Sequence, residues 1–139
     1  MPFFENSAQL EGCLKALFSR IQRTDPGAAD AVSSSRLVIR LRCAEPEGEL
    51  TINGRQRPAR ITYGPSGARP VLDIELAADT LHMILLGEQS MTKALANGML
   101  KVRGPALKAM TLAELFRGGQ ELYPEILREQ GLEFEKTRP

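Results

Sequence analysis

Few side chains in this sequence could carry out covalent chemistry. His82 is the only histidine, so a catalytic triad or a multi-histidine metal site would have to be built around one imidazole. It stands between Leu81 and Met83, where we expect a surface or half-buried structural histidine on a helix. The three serines at 33–35 lack the Gly-x-Ser-x-Gly context of a nucleophilic serine. These residues predict a protein that is not an enzyme.

The only two cysteines, Cys13 and Cys43, belong to no Cys-x-x-Cys or Cys/His spacing. Two such thiols in a chain of 139 residues are typical of reduced, buried side chains rather than of a disulfide or a metal site. We therefore expect neither a metal ion nor a cofactor.

The charges are balanced, with 18 Lys and Arg residues against 17 Asp and Glu residues and a net charge of +1. No block of basic residues stands out, which argues against a nucleic-acid partner. The amino terminus has no basic segment followed by an apolar run, and no stretch approaches the roughly 18 apolar residues of a membrane span. We expect a single soluble, cytoplasmic domain over residues 1–139.

The elements that must position any site begin with an N-terminal helix. Asn6 and Gln9 have the spacing of a capping box, and apolar residues between positions 10 and 21 then recur at helical intervals. The sequence Asp-Pro-Gly at 25–27 ends this pattern. The Ala- and Ser-rich residues up to position 35 show no period, which predicts a linker within the domain.

From position 36 the period changes to two, as in β-strands with one buried face. The pair Asn53-Gly54 after the second such run is a hairpin signal. The alternation predicts four antiparallel strands in a meander over residues 36–76.

The pattern returns to helical after residue 76. Asp79 and Ser90 are placed to cap two short helices, and Gly87 and Gly98 are placed to end them.

The sequence then predicts a fifth strand and two further helices. The strand covers residues 99–103, and Pro105 opens a helix that the Gly118-Gly119 pair is predicted to break. A last helix lies within residues 120–132, and residues 133–139 are expected to form a frayed tail. Strands grouped before helices predict an α+β domain with the helices on one face of the sheet.

The predicted helices between residues 80 and 116 carry more apolar side chains than one sheet face of alternating Leu and Ile requires. They either fill a thick core or line a cavity. Four methionines, Met83, Met91, Met99 and Met110, suit both interpretations, because Met fills irregular space.

Residues 71–116, VLDIELAADTLHMILLGEQSMTKALANGMLKVRGPALKAMTLAELF, resemble the sterol carrier protein type 2 lipid-binding domain. The resemblance rests on a helix that ends at Gly87, a second that reaches Gly98, and a short strand before Gly104. This glycine spacing is the hallmark of the family. A helix followed by strands upstream extends the resemblance to roughly residues 8–118. Pro105, where a polar residue is common, and the helix after residue 120 depart from the family pattern.

The resemblance implies a five-stranded, mainly antiparallel sheet covered on one face by helices, with an apolar tunnel between them. It implies non-enzymatic binding and transfer or presentation of lipids such as fatty acids, acyl-CoA, sterols or phospholipids, with at most transient membrane contact. Ten apolar residues are the expected tunnel lining: Leu81, Ile84, Leu85, Met91, Leu95, Met99, Leu107, Met110, Leu115 and Phe116. Lys101, Arg103 and Lys108 are weaker candidates for contact with a polar head group.

Two other functions remain open. The fold could serve as an accessory or dimerisation module of a lipid-metabolising system. The contact of such a homodimer would be Leu122, Ile126 and Leu127 on the exposed side of the last helix. The less favoured alternative is an acyl-thioester hydrolase that depends on His82.

Overall fold

A computed structural model describes residues 3–132 of the chain, apart from the side chain of Ala29. Its first half contains α1 Ser7–Thr24, α2 Pro26–Ser35, β1 Val38–Ala44, β2 Gly48–Asn53 and β3 Arg60–Tyr63. Its second half contains β4 Leu72–Ala77, α3 Ala78–Leu85, α4 Met91–Ala96, β5 Leu100–Arg103, a 3₁₀ turn Ala106–Ala109, α5 Met110–Gln120 and α6 Tyr123–Glu129. The predicted frayed tail, residues 133–139, lies outside the described residues.

Helix α1 begins where the capping residues predict. The Asn6 carboxamide oxygen accepts a hydrogen bond from the Gln9 amide at 2.8 Å. The Gln9 side chain in turn accepts one from the Glu5 amide, also at 2.8 Å. These bonds satisfy backbone donors that a helix start leaves open. One stripe of α1 is fully buried and consists of Leu10, Cys13, Leu14, Leu17, Phe18 and Ile21.

The segment predicted as a linker is a helix, α2, so that prediction is wrong. Asp25 accepts a hydrogen bond from the Ala28 amide, and Pro26 occupies the first turn. The sequence Asp-Pro-Gly therefore starts α2 as well as ending α1. The helix shows little periodicity because it is built from small residues, and only Val32 and Ser33 are fully buried among its described side chains.

The strand order in the sheet is β3-β2-β1-β4-β5, with β1 and β4 parallel and the other pairs antiparallel. The predicted meander is therefore wrong for β4, which pairs with β1 rather than with β3. Leu72, Asp73 and Ile74 are all buried in succession, as befits a central strand. Residues 64–71 carry the chain from the edge strand past β2 and β1. The alternation of buried and exposed residues along a strand does not determine which other strand it pairs with.

The two faces of the sheet differ in character. The inner face carries apolar residues such as Ile39, Leu41 and Ile74, which join the helices in one core cluster. The outer face carries charged residues in register, with Arg40 opposite Asp73 and Arg42 opposite Glu75. The helices thus cover one face, as predicted.

The glycine signals of the second half are confirmed as turns. Gly87, Gly98 and Gly104 all have positive φ, with Gly104 at 111° and so close to Val71 that a Cβ would meet its carbonyl oxygen at 2.2 Å. Ser90 caps α4 by accepting a hydrogen bond from the Lys93 amide. The prediction that Asp79 caps α3 is wrong, because its carboxylate accepts a hydrogen bond from the Phe3 amide instead, at 2.9 Å.

Helix α5 runs through the Gly118-Gly119 pair to Gln120, so the predicted break is wrong. The glycines serve close packing. A Cβ on Gly118 would lie 2.5 Å from the Ala28 Cβ of α2, and one on Gly119 would lie 3.0 Å from the Ile21 Cδ1 of α1.

Helix α6 packs its apolar side inward. Ile126 and Leu127 are 0% exposed and Leu122 is half-buried, so these residues form no outward contact surface of the kind predicted for a homodimer. The guanidinium of Arg20 on α1 holds the carboxylate of Glu129 by two hydrogen bonds of 2.8 and 2.7 Å. This pair adds a surface contact between α1 and α6.

Candidate functional site

A groove lies between α1 and the edge strand β3. We use the word groove for two separate cavities there, one of about 410 Å³ near Arg57 and one of about 340 Å³ near Leu50, which share Tyr63 as a lining residue. We call them the Arg57 cavity and the Leu50 cavity. Each is within the size range of small-molecule sites in proteins.

The Leu50 cavity has an apolar floor and an acidic rim. Leu10 and Leu14 of α1, Leu50 of β2 and Tyr63 of β3 line it, and the three leucines are buried. Glu11, Glu47 and Glu49 stand around its edge.

The Arg57 cavity is more polar at its rim. Phe18 and Ile61 form its base, while Gln22, Arg57 and Arg60 stand at the solvent side. The Gln22 carboxamide donates a hydrogen bond to the Ala59 carbonyl oxygen at 3.3 Å, which joins the end of α1 to the loop before β3. An amphiphile would find an apolar base and hydrogen-bonding groups in the same place.

A small internal cavity of about 10 Å³ continues the Arg57 cavity inward. Both are lined by Phe18, Gln22, Ala59 and Ile61, and the inner one ends against Leu115 of α5. At about 10 Å³ the inner cavity is roughly the size of one water molecule, so it is too small to hold an acyl chain.

The groove forms because β3 is a short edge strand that α1 does not fully cover. Ile61 and Tyr63 face inward, yet each is only half-buried, while Arg60 and Thr62 point outward. The Lys15 ammonium of α1 lies 5.2 Å from the centre of the Tyr63 ring. Burial and the nearby Glu11 carboxylate raise the pKa of Tyr63 to about 12. The phenol thus stays neutral and apolar in character.

His82 does not line this groove, and its surroundings are those of a structural residue. It is 7% exposed, and its Nδ1 lies 2.7 Å from the Tyr123 hydroxyl. The Phe3 ring stacks on it with centroids 3.7 Å apart. Burial lowers the pKa of His82 to about 4. The imidazole is therefore neutral near pH 7 and fixed by aromatic neighbours, more deeply buried than the sequence predicts.

Both cysteines are free and buried, as predicted. Burial raises the pKa of Cys13 to about 11 and that of Cys43 to about 12. Thiols with such values are poor nucleophiles. Within residues 3–132 no group of three or more His, Cys, Asp or Glu side chains could hold a metal ion.

The ten predicted lining residues are divided between core and surface. Six are buried in the core cluster: Leu81, Ile84, Leu85, Met91, Leu115 and Phe116. Leu95 is half-buried, and Met99, Leu107 and Met110 are exposed by 44%, 90% and 38%. Of the ten, Leu115 lines a cavity described above. A tunnel beneath the C-terminal helices stays a prediction.

The predicted head-group residues Lys101 and Arg103 lie on the outer face of the sheet, opposite Glu75 and Asp73 in register. Lys108 is exposed on the 3₁₀ turn. Near them, the guanidinium of Arg40 hydrogen-bonds the Asp73 carboxylate and holds the pKa of that carboxyl below its usual value. Their contact with a lipid head group also stays a prediction.

The residues that line the groove were missed at the level of sequence. Leu10, Leu14 and Phe18 belong to a regular apolar stripe, which predicts contact with the core rather than with a cavity. Arg57 and Arg60 lie in a loop and an edge strand, where basic residues are common. No sequence signal marks the gap beside Tyr63, because it depends on how far α1 lies from the edge of the sheet.

Helices on one face of a mainly antiparallel five-stranded sheet define an α+β domain. A profile described as the SCP-2 sterol transfer family matches residues 18–117. The chain belongs to this family. No curated protein sequence gives a significant match.

Solved structures share the fold at low sequence identity. The apo sterol carrier protein 2 of Yarrowia lipolytica is 13% identical, with a TM-score of 0.61 over 76% of this chain and 88% of that one. Palmitated SCP2L2 of Aedes aegypti is 16% identical, with a TM-score of 0.53 over 76% and 92%. A structure described as "UbiJ-SCP2 Ubiquinone synthesis protein" is 19% identical, with a TM-score of 0.57 over 80% and 90%.

The helices among the described residues are too short or too polar to cross a lipid bilayer.

Proposed function

We propose that this protein binds a lipid without chemical conversion and transfers or presents it, with the acyl chain in the groove between α1 and β3. The observation that carries the proposal is the Leu50 cavity of about 340 Å³, in which the buried side chains of Leu10, Leu14 and Leu50 form an apolar floor beneath an exposed rim. Membership of the SCP-2 sterol transfer family supports the same role.

The energetics of an acyl chain are sufficient for this role. Burial stabilises a chain by about 0.8 kcal/mol per methylene, or on the order of 12 kcal/mol for about 16 carbons. Association costs of roughly 4–15 kcal/mol offset much of that gain. Affinity in the micromolar range or somewhat tighter follows without any specific polar contact. The Aedes relative that was solved with palmitate shows that this fold accepts an acyl chain in that protein.

An accessory role is the second candidate, and one structural neighbour favours it, because its description names ubiquinone synthesis. In that role the chain would hold a lipid for an enzyme that modifies it. Lipids extracted from the purified protein and identified by mass spectrometry separate the two: acyl lipids support a carrier, and prenylated rings support the accessory role. Cytoplasmic location, transient membrane contact and a homodimer stay predictions.

The proposed site is tested by filling the groove. Ala8 lines the Leu50 cavity and is exposed, so Ala8→Trp places an indole in the groove without disturbing the core. Ala96 is equally exposed on α4 and lines none of the cavities described above, which makes Ala96→Trp the matched control. We expect Ala8→Trp to weaken uptake of a fluorescent C16 fatty acid by about tenfold or more, the equivalent of losing about two buried methylenes.

The control variant is expected to bind the fatty acid like the wild-type protein. Equal binding by the wild type and both variants would place the ligand outside this groove. If neither native mass spectrometry nor titration detected lipid on the wild type, the proposed function itself would be wrong.

A further inference from the structure

We infer that the edge of the protein around β5 docks on the surface of an anionic lipid bilayer. This edge presents exposed apolar side chains among basic ones, and we call it the β5 surface: Met99, Lys101, Arg103, Leu107, Lys108 and Met110. The inference goes beyond the proposed function, because none of these residues lines either cavity of the groove. It assigns particular side chains to a membrane contact that the sequence predicts without a location.

The apolar part of the β5 surface projects into solvent. Met99, Leu107 and Met110 are exposed by 44%, 90% and 38%, and they are the exposed large apolar side chains of residues 3–132. Single exposed apolar residues scattered over a surface are ordinary, but a group of them in one short segment indicates contact with a partner.

Backbone contacts hold Leu107 in its exposed position. Gly104, with a φ of 111°, packs so closely on Val71 that a Cβ would meet the Val71 carbonyl oxygen at 2.2 Å. At the other end of the 3₁₀ turn, the Met110 amide donates a hydrogen bond to the Leu107 carbonyl oxygen. Residues three apart in such a turn share a face, so Leu107 and Met110 point outward together while Ala109 is buried. The turn presents both apolar side chains without a change of fold.

The charge around these side chains is positive. Residues 89–113 contain Lys93, Lys101, Arg103 and Lys108 but no Asp or Glu, so this segment carries a net charge of +4 in a chain whose total is +1. All four basic side chains are exposed, and within the described part of the chain none of them forms an ion pair. An anionic surface attracts such a segment.

The carboxylates nearest to β5 in the sheet already have partners. Lys101 and Arg103 stand opposite Glu75 and Asp73 in register. The Asp73 carboxylate accepts hydrogen bonds from two arginines of β1, and a Glu75 carboxylate oxygen lies 3.6 Å from a guanidinium nitrogen of one of them. The basic side chains of β5 are therefore available to charges outside the protein.

A bilayer suits this combination better than a protein partner does. Lysine is depleted in protein–protein interfaces, whereas basic residues draw a surface to anionic lipids and neighbouring apolar side chains enter the boundary between head groups and acyl chains. A second segment, residues 50–72, also carries four arginines and no acidic residue, but none of its large apolar side chains is exposed. The apolar stripe of α1 is buried and so cannot meet a membrane. Charge and exposed apolar side chains coincide at the β5 surface.

Insertion is tested with a single tryptophan, since the chain contains none. Leu107→Trp places an indole on the β5 surface, and the matched control Gln56→Trp places one at an exposed position in the second basic segment. With vesicles of phosphatidylcholine and about 30% phosphatidylglycerol, we expect the emission of Leu107→Trp to move to shorter wavelength and to be quenched by lipids brominated on the acyl chains. The emission of Gln56→Trp is expected to stay unchanged. Equal shifts in the two variants, or no shift in Leu107→Trp, would overturn the inference.

The charge requirement is tested by co-sedimentation with the same vesicles. We expect Lys101→Glu/Arg103→Glu to bind them about tenfold more weakly or worse. Arg55→Glu/Arg57→Glu changes the net charge by the same amount in the second basic segment, and we expect it to lose less than about threefold. The wild type is expected to bind vesicles of pure phosphatidylcholine at least about tenfold more weakly than anionic ones. Equal losses in the two double variants, or equal binding to both kinds of vesicle, would contradict docking at the β5 surface.

The groove variant separates this inference from the proposed function. Ala8→Trp, which fills the Leu50 cavity, is expected to bind anionic vesicles like the wild type. Conversely, Lys101→Glu/Arg103→Glu is expected to take up fatty acid from solution like the wild type. A wild type that takes up fatty acid but binds no vesicles would overturn the inference and leave the proposed function standing. Vesicle binding without fatty-acid uptake would support the inference and overturn the proposed function.

Discussion

The imidazole of His82 joins three parts of the chain that are far apart in sequence. It accepts or donates one hydrogen bond at Nδ1 with the Tyr123 hydroxyl of α6, and it stacks against Phe3 in the segment before α1. The Phe3 amide is in turn bound by Asp79, one turn of α3 away from His82. This cluster explains why a lone histidine occurs among apolar residues: it fastens the N-terminal segment and α6 to α3.

The neutral state of His82 makes the stability of the protein depend on pH. Its pKa falls from the ordinary 6.5 to about 4 because of burial, although the Asp79 and Glu88 carboxylates oppose the shift. Between these values the unfolded chain takes up a proton that the folded chain does not. The contribution of His82 is therefore complete above pH 6.5 and is lost as the pH falls toward 4. We predict a loss of about 3 kcal/mol in the free energy of unfolding over this range.

Urea unfolding of the wild type and of His82→Gln measures this contribution. Both chains share all other titrating groups, so the difference in their pH profiles isolates the histidine. The variant is expected to lose about 3 kcal/mol less than the wild type between pH 6.5 and 4. Parallel profiles would mean that the imidazole becomes protonated in the folded state at its ordinary pKa.

At the scale of elements, the close packing of α5 against α2 depends on a glycine at position 118. Gly118 lies in the interior of α5, where alanine normally stabilises a helix by about 0.5–1 kcal/mol over glycine. Here an added Cβ would lie 2.5 Å from the Ala28 Cβ and 3.2 Å from the Asp25 carboxylate. Since α2 would have to move, we predict that Gly118→Ala destabilises the protein by about 1–3 kcal/mol.

A glycine in α1 provides the control. A Cβ on Gly12 would meet only the Gln130 side chain, at an ordinary 3.5 Å, so Gly12→Ala is expected to stabilise by about 0.5–1 kcal/mol. Adding Ala28→Gly to Gly118→Ala removes the clash and is expected to recover much of the loss. Denaturant midpoints of the four proteins measure both effects. Equal stabilisation by the two alanines would show that the helices tolerate a wider spacing.

Local sequence signals predict most of the helices and strands. They do not predict which strands pair with each other. Asn6 and Ser90 cap their helices as the sequence predicts, because a cap is a contact between residues three apart. The parallel pairing of β1 with β4, by contrast, depends on competition among strands for the central position. Helix α2 was missed because its small residues leave no apolar stripe, although its Asp25-Pro26 start was visible.

At the scale of the whole molecule, the groove is a consequence of how few elements cover the sheet. The core takes up six of the ten residues predicted to line a tunnel, so the surplus of apolar residues in the C-terminal half goes largely into packing. The two cavities of the groove lie at β3, where an edge strand extends beyond the cover of α1. Neither the family resemblance nor periodicity could place the volume, because it is set by the distance between helix and sheet.

Ligand binding at this edge is expected to change the stability of particular elements. A ligand that binds only the folded state stabilises it by about 2.7 kcal/mol at a concentration of 100 times its Kd. Because the groove is bounded by α1 and β3, we predict that a bound C16 fatty acid slows amide hydrogen exchange most in Ser7–Thr24 and Arg60–Tyr63. Peptide-level exchange with and without the acid measures this, with Ala8→Trp as the control that loses the effect. Protection concentrated in Ala78–Leu85, Met91–Ala96 and Leu100–Arg103 would instead place the ligand in the tunnel that the sequence predicts beneath the C-terminal helices.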